Sequence, residues 1–346
     1  MGNKRVTSQD VARRAGVSRT TVSLVLNDVR WAQISQMTRH RVLQAAKELG
    51  YVPDAAARAL ASRRSQIIGL LLTRSPRHIA SDTFLPQSLY GLIQVVRDHG
   101  WRLMIDIIEP QHQRGAYLQM ARAKHIDGIL LSGPRYDDEA LQALEDDGFP
   151  TVLMGQLLGS SFYSVDVDNR NAARQAVSHL VNIGHRMIAC ITNTDLSYTA
   201  AFDRLTGYRE ALEDAAIPYN QVLVRYGDFD LQSGYVQMQS LLADEVLPSA
   251  VFVASDAVAM GAMAAIRERG LRIPQDIALV GFDDLPLAQF VDPPLTTIHV
   301  PAIELACKAS EMLLQLLQGS PPSKKHVILD AHLVVRESCG ALMAHG

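Results

Sequence analysis

Val6-Thr7-Ser8-Gln9-Asp10-Val11-Ala12-Arg13-Arg14-Ala15-Gly16-Val17-Ser18 reads as one short helix and the turn that ends it. Thr7 stands where a hydroxyl caps free N–H groups, and Asp10 is placed to reach back, a variant of the capping box. Val11, Ala12 and Ala15 give one apolar stripe at helical spacing. Gly16 allows the left-handed conformation that stops a helix. Ser18 then caps a second helix, Arg19 to about Leu26, with Val22 and Leu26 facing in and Asn27 ending it. Two short helices joined by a glycine-containing turn form a helix-turn-helix. A third helix is expected from about Gln36 to Leu49, with Val42, Leu43, Ala46 and Leu49 buried and Gly50 beyond it.

Charge is distributed unevenly along the 346 residues. Residues 1–66 carry twelve basic and four acidic side chains, a net +8, whereas the remainder carries 21 basic and 32 acidic, a net −11. A basic module on an acidic body points to a polyanion bound by the small end only. In a helix-turn-helix the second helix lies in the major groove with its first residues at the base edges. Those residues are Arg19 and Thr20, and Arg can hold guanine O6 and N7 with two hydrogen bonds. Thr7, Ser18, Thr21, Ser23 and the helix N-termini suit phosphate contacts, which position without specifying. Each Ser or Thr also serves as a plain helix cap. Asn27 and Arg30, at the end of the second helix and beyond, complete the DNA-facing set.

These residues resemble the headpiece of the lactose-repressor (LacI) family of bacterial transcriptional regulators. Thr21-Val22-Ser23, Val25-Leu26-Asn27, Thr38-Arg39, Ala45-Ala46, Leu49-Gly50-Tyr51-Val52-Pro53 and Ala57-Arg58-Ala59-Leu60 continue the likeness in order and spacing. Leu24 departs from it, standing where the family often has Arg or His reading a base, and this leaves the operator sequence open. Residues 53–66 read as a short Ala-rich hinge helix and linker, with Pro53 suited to a first helical position. The resemblance implies that two such hinges, one from each subunit of a homodimer, enter the minor groove. Leu60 would be the apolar wedge, trading unstacking for a bend, and Ala57 and Ala61 would permit close helix approach. A Leu60 that packs on the body is the alternative.

From Ile67 onward, apolar runs alternate with amphipathic stretches. Ile67–Leu72, Leu103–Ile108, Gly128–Leu131, Thr151–Met154 and Tyr163–Val167 are followed by Met187–Thr192, Val222–Arg225, Ala250–Ala254, Ile277–Gly281 and Thr296–His299. Continuous apolar strands between helices argue for parallel sheets covered on both faces. About 280 residues exceed one ordinary core, so two doubly wound α/β lobes are expected. The likeness to the LacI family extends here through Val165-Asp166-Val167-Asp168-Asn169, Arg204-Leu205-Thr206-Gly207-Tyr208 and Ile273-Pro274 to Asp283-Asp284. It implies the fold of periplasmic sugar-binding proteins. One lobe would comprise 67–164 with 294–319, the other 165–293 with 324–340, after a headpiece of 1–52.

Ligands of such sheets bind in the crevice at the carboxyl ends of the strands. Sugars need polar groups for their hydroxyls and aromatic faces for the apolar side of the ring. By family position, Arg204 and Asp283 are the leading polar candidates and Phe229 and Phe84 the aromatic ones. Asp256 and Gln156 are further candidates. The competing readings are a lobe-bracing ion pair for Arg204, a helix cap for Asp256 and core packing for Phe84. For Phe84, the preceding loop Thr73–Thr83 is longer than the family's usual one.

Other function classes fit poorly. The three cysteines, Cys190, Cys307 and Cys339, have no metal-binding spacing and suit a reducing cytoplasm. His78, His99, His112 and His125 lack the i, i+4 pairing of a helical metal site. No Gly-x-Ser-x-Gly elbow, Walker P-loop or helix-opening GxGxxG occurs, and Gly155 and Gly159 suit turns. Enzyme activity, a metal and a cofactor are therefore not expected. No run of about 18 uncharged apolar residues suggests a membrane span, and the polar start after Val6 argues against a secretion signal. A solute-binding protein would share the two-lobed body but leaves residues 1–62 without a purpose. The expected function is a repressor released from a palindromic operator by a sugar-type effector, with a corepressor-dependent regulator as the alternative within the family.

Overall fold

A computed structural model describes residues 6–26, 32–52, 64–108, 115–123 and 125–341. The chain divides into two compact units at Gln66 and Ile67. The first contains three helices, α1 (Ser8–Ala15), α2 (Arg19–Leu26) and α3 (Gln36–Glu48). The Asp10 carboxylate accepts the Thr7 N–H at 2.9 Å and the Thr7 hydroxyl at 2.7 Å, fixing the start of α1. Gly16, at φ 65°, ends the helix in the left-handed region. Arg14 reaches across to Glu48 at 2.6 Å and ties α1 to α3.

The small core is Val11, Ala12, Ala15, Val22, Val25, Val42, Ala45 and Ala46. Three expected core positions shift, and one of them, Leu49, is half-buried at the edge of the core. Val25 is buried and Leu26 only half-buried, because both lie within one turn of Val22 and the i+3 neighbour wins. Leu43 is 48% exposed, and Ala45 takes the inward place expected of it. One residue on from Val42 rotates by about 100° around a helix, which carries Leu43 outward.

The second unit has two lobes. In the first, a six-stranded parallel sheet runs in the order β11-β5-β4-β3-β1-β2. Its strands are β1 (Ile67–Leu72), β2 (Arg102–Ile107), β3 (Gly128–Ser132), β4 (Thr151–Met154), β5 (Tyr163–Val167) and β11 (His326–Leu329). The helices α4 (Pro76–Ser81), α5 (Leu85–Asp98), α6 (Ala116–Arg122) and α7 (Glu139–Asp147) belong to this lobe, and α12 (Ala302–Leu317) packs beside α5. In the second lobe a four-stranded parallel sheet has the order β7-β6-β8-β9. Its strands are β6 (Ile188–Thr192), β7 (Val224–Tyr226), β8 (Ala250–Val253) and β9 (Ala278–Val280). Helices α8 (Asn169–Asn182) and α9 (Thr199–Asp214) pack together, as do α10 (Leu231–Leu242) and α11 (Asp256–Glu268). A Cβ on Gly261 would stand 1.8 Å from the Leu231 carbonyl oxygen, so only glycine lets α10 and α11 approach this closely.

The expected lobe boundaries need three corrections. All of β5 belongs to the first sheet, and the chain crosses over only after Val167. The segment β11, placed in the second lobe by the sequence reading, pairs in parallel with β5 in the first sheet. Conversely, Thr296 and His299 bridge to Val280 and Asp283 of the second lobe, and β10 (Thr297–His299) pairs with β12 (His332–Val334). The cause is edge satisfaction: β5, buried at Val165 and Val167, needs a partner on its outer edge. The long loop before Phe84 also contains a helix, α4, begun by Ser75, whose hydroxyl accepts the His78 N–H at 3.3 Å.

Candidate functional site

The headpiece presents Thr7, Ser18, Arg19 and Thr20 on its exposed surface, with Thr21 and Ser23 half-buried. Ser18 caps α2 by accepting the Thr21 N–H at 3.0 Å, and its hydroxyl also meets that of Thr21. Arg19 leans back to donate to the Ser8 hydroxyl at 3.1 Å. The start of α2 thus offers a guanidinium, three hydroxyls and the free N–H groups of a helix N-terminus. This set suits phosphates and base edges. Asn27, Arg30, Ala57, Leu60 and Ala61 lie outside the described residues.

In the body, a cavity of about 120 Å³ opens where the strands of both lobes end. The loop after β1 brings Arg74, Asp82 and Phe84, and β5 with the start of α8 brings Asp166 and Asn169. Asn193 follows β6, Tyr198 and Arg204 come from α9 and its approach, Phe229 follows β7, and Asp283 follows β9. Of the six sequence candidates, Arg204, Asp283, Phe229 and Phe84 line this cavity. Gln156 does not, although its neighbour Gly155 does.

Asp256 is also absent from the lining. It is fully buried and accepts the Thr297 hydroxyl at 2.6 Å and the Leu285 N–H at 2.8 Å. Its carboxylate is committed to holding the start of α11 against β10 and the loop after Asp283, and no oxygen faces the cleft. Burial, then the neighbouring Asp283, pushes its carboxyl well above the usual range.

Arg204 is the centre of the polar wall. It donates to Asn169 Oδ1 at 2.9 Å and to the Ala254 carbonyl at 2.7 Å, and stands 3.5 Å from Asp283. Its guanidinium lies 3.7 Å above the Phe282 ring. Asn169 in turn donates to both oxygens of Asp166, at 3.2 and 3.1 Å. The Arg204–Asp283 pair lies within the second lobe and does not brace the two lobes together. Burial raises Asp283 to about 6 against the opposing pull of Arg204, and burial raises Asp166 to about 6 as well. The same burial lowers Arg204.

The aromatic wall is more crowded than the sequence suggests. Phe229 is held at φ 62° with its N–H donating to the Asn193 carbonyl at 2.7 Å. Asp283 is likewise in a positive-φ conformation, at 116°. Such backbone strain gathers at ligand-binding positions. Arg74 covers the Phe229 ring at 4.5 Å, Tyr198 meets it edge-on at 5.0 Å, and His78 lies tilted against it at 5.6 Å. Sequence reasoning missed Arg74, Asp82, Asn193 and Tyr198, because three lie in irregular segments and Asn193 just follows an apolar strand. Asp166-Val167-Asp168-Asn169, although quoted for the resemblance, carried a signal that was not assigned to the cavity.

A helix-turn-helix unit and a two-lobed body with an enclosed polar and aromatic cavity define a DNA-binding transcriptional regulator with a ligand-binding domain. Comparison with known proteins agrees. Residues 7–54 match the bacterial regulatory proteins of the lacI family, and residues 177–339 match a periplasmic binding protein-like domain. The HTH-type transcriptional regulator CelR of Thermobifida fusca is 36% identical over 341 residues, covering 97% of this chain and 98% of that protein. A solved CelR–cellobiose complex matches with a TM-score of 0.73 and 34% identity, over 96% of this chain and all of that one. The lac repressor dimer bound to operator and the anti-inducer ONPF matches with a TM-score of 0.84 and 32% identity, over 97% and 99%. The chain belongs to the LacI family of bacterial regulators. Among the described residues no helix is long and apolar enough to cross a membrane.

Proposed function

We propose that this regulator is a cytoplasmic homodimeric repressor, without enzymatic activity, released from a near-palindromic operator by a small sugar-type effector. The observation that carries the reading is the cavity wall of Arg204, Asn169, Asp166 and Asp283 facing Phe229 and Phe84. Fixed donors and acceptors beside aromatic rings suit a compact polyhydroxylated molecule. The similar CelR structure holds cellobiose, and the similar lac repressor structure is a dimer on operator. Both support the effector class and the assembly.

In this proposal Arg204, Asp283, Phe229 and Phe84 contact the effector, and Arg19 and Thr20 read bases. Thr7, Ser18, Thr21 and Ser23 hold phosphates, and the hinge positions Ala57, Leu60 and Ala61 keep the roles given by resemblance. An effector that touches both lobes favours one relative orientation of them. If that orientation is unsuited to DNA, the operator is released, and linkage weakens effector binding on DNA by the same factor.

A thermal-shift screen of the purified protein against sugars, purines and nucleosides tests the effector class. A ligand at 100 times its dissociation constant adds roughly 2.7 kcal/mol of stability. A sugar that raises the midpoint supports the proposal. Stabilisation by a purine alone replaces it with the corepressor reading.

A further inference from the structure

The loop that carries α4 leaves β1 in the first lobe and fastens to the second. Arg77 pairs with Asp230 at 3.1 Å and His78 with Asp228 at 3.0 Å, both beyond β7. Asp230 is itself fixed, since it caps α10 by accepting the Ser233 N–H at 2.7 Å. This strap is also clipped at its neck, where Arg74 and Asp82, on either side of α4, pair with each other. The N–H groups of Phe84 and Leu85 hold Asp82 in turn, at 2.8 and 2.9 Å. The ends of the strap, Arg74 and Asp82 with Phe84, line the cavity. From them Arg74 reaches over the Phe229 ring, and His78 of α4 lies against the same ring.

A second crossing joins the lobes at the cavity wall. The Tyr136 N–H donates to the Ser197 carbonyl at 2.8 Å and the Thr199 N–H to the Pro134 carbonyl at 3.2 Å, while the Tyr198 hydroxyl donates to the Thr73 carbonyl. Pro134, Tyr198 and Thr199 line the cavity as well. Between these two crossings the cavity measures about 120 Å³. Pockets for drug-sized ligands usually run from about 300 to 1,000 Å³, and one water in the liquid takes about 30 Å³. The space therefore suits one small ring and is too short for two joined rings. A second ring would have to lift the strap, separating both ion pairs and drawing Arg74 off Phe229.

We infer that the strap sets an upper limit on effector size: it admits one compact unit, a monosaccharide, and shuts out a disaccharide such as cellobiose. The choice of a monosaccharide rests on the sugar reading proposed above, whereas the size limit rests on the strap and the cavity. The Arg204–Asp283 wall recognises hydroxyls, and the strap decides how many rings can reach it.

The test uses the full-length protein and two variants. Arg77→Ala with Asp228→Ala breaks both ion pairs and leaves Asp230 to cap α10 and His78 beside Phe229. The second variant replaces residues 75–81 with two glycines, which removes α4 outright and lets Arg74 and Asp82 flank a short turn. Calorimetry compares each small probe with a larger one that contains it: D-glucose with cellobiose, D-galactose with melibiose, and D-ribose and adenine with adenosine. For the pair that binds, the natural protein should hold the small member at least about tenfold more tightly. Breaking the ion pairs should improve the larger member by up to about tenfold, because they no longer resist the lifting of the strap. Removing α4 should abolish the preference, with the small member held no more tightly than before.

A cooperative thermal transition for each variant, recorded beside that of the natural protein, shows that it is folded. A larger member that the natural protein binds as tightly as the small one overturns the size limit. A preference that survives in both variants overturns the role of the strap. If only adenine or adenosine binds, the sugar reading fails on that result, while the ratio between the two still decides the size limit. If none of these probes binds any of the three proteins, both readings fall.

Discussion

The Arg204 guanidinium and the Asp283 carboxylate stand 3.5 Å apart with each side chain about a tenth exposed, yet burial still lifts Asp283 to about 6. A sugar hydroxyl that donates to this carboxylate favours its ionised form. Effector affinity should therefore rise from about pH 5 to about pH 7 and then level off, with proton release on binding near pH 6. Calorimetry in two buffers of different ionisation enthalpy measures that release. An affinity that is flat across this range, with no proton exchanged, rules out Asp283 as the acceptor. The unliganded fold has the opposite sign. Asp166 and Asp283 sit above their ordinary 3.8, so their contribution to stability is complete below about pH 4 and is lost as pH rises through about 6.

Asp256 carries a different prediction, because its bonds to Thr297 and Leu285 hold the second lobe together. Asp256→Ala leaves a buried hydroxyl and a buried N–H unpaired and should cost about 2 kcal/mol or more of stability. Asp256→Asn should cost less, since burial already disfavours the charged form. Denaturant unfolding of both variants beside the natural protein measures the difference. An Asp256→Ala protein of full stability that no longer binds effector would return Asp256 to the site.

Most of the architecture was legible because its signals are local. The stripe Val11, Ala12, Ala15, the stop at Gly16 and the apolar runs from Ile67 onward each declare an element within a few residues. What was hidden depends on pairing over distance. Nothing near His326–Leu329 says that it will close the edge of β5, 162 residues away at Ser164↔His326. The cavity follows the same rule. Arg204 and Asp283 could be placed from the likeness of their surroundings, whereas Arg74 and Asn193 meet at Phe229 only once three loops converge. Asp256 was misplaced because a strand-end carboxylate looks the same in sequence whether it faces a cleft or a buried Thr297.

At the headpiece, Arg19 is exposed at the start of α2, where its side chain donates a hydrogen bond to Ser8. Arg19→Ala should relax base preference at one position of each half-site, at about 1–3 kcal/mol per lost bidentate contact. A selection from random duplexes measures this. Identical preferences for the variant and the natural protein would show that Arg19 serves phosphates alone.

The central claim is that the cavity and the operator are coupled with opposite preference. Titrating the sugar that stabilises the protein in the thermal-shift screen into a preformed complex with its operator, followed by fluorescence anisotropy of labelled DNA, tests it most directly. The account predicts release, with operator affinity lowered by about 1–3 kcal/mol and the response abolished by Asp283→Ala. Tightening of the complex, or a bound sugar that leaves operator affinity unchanged, would contradict it.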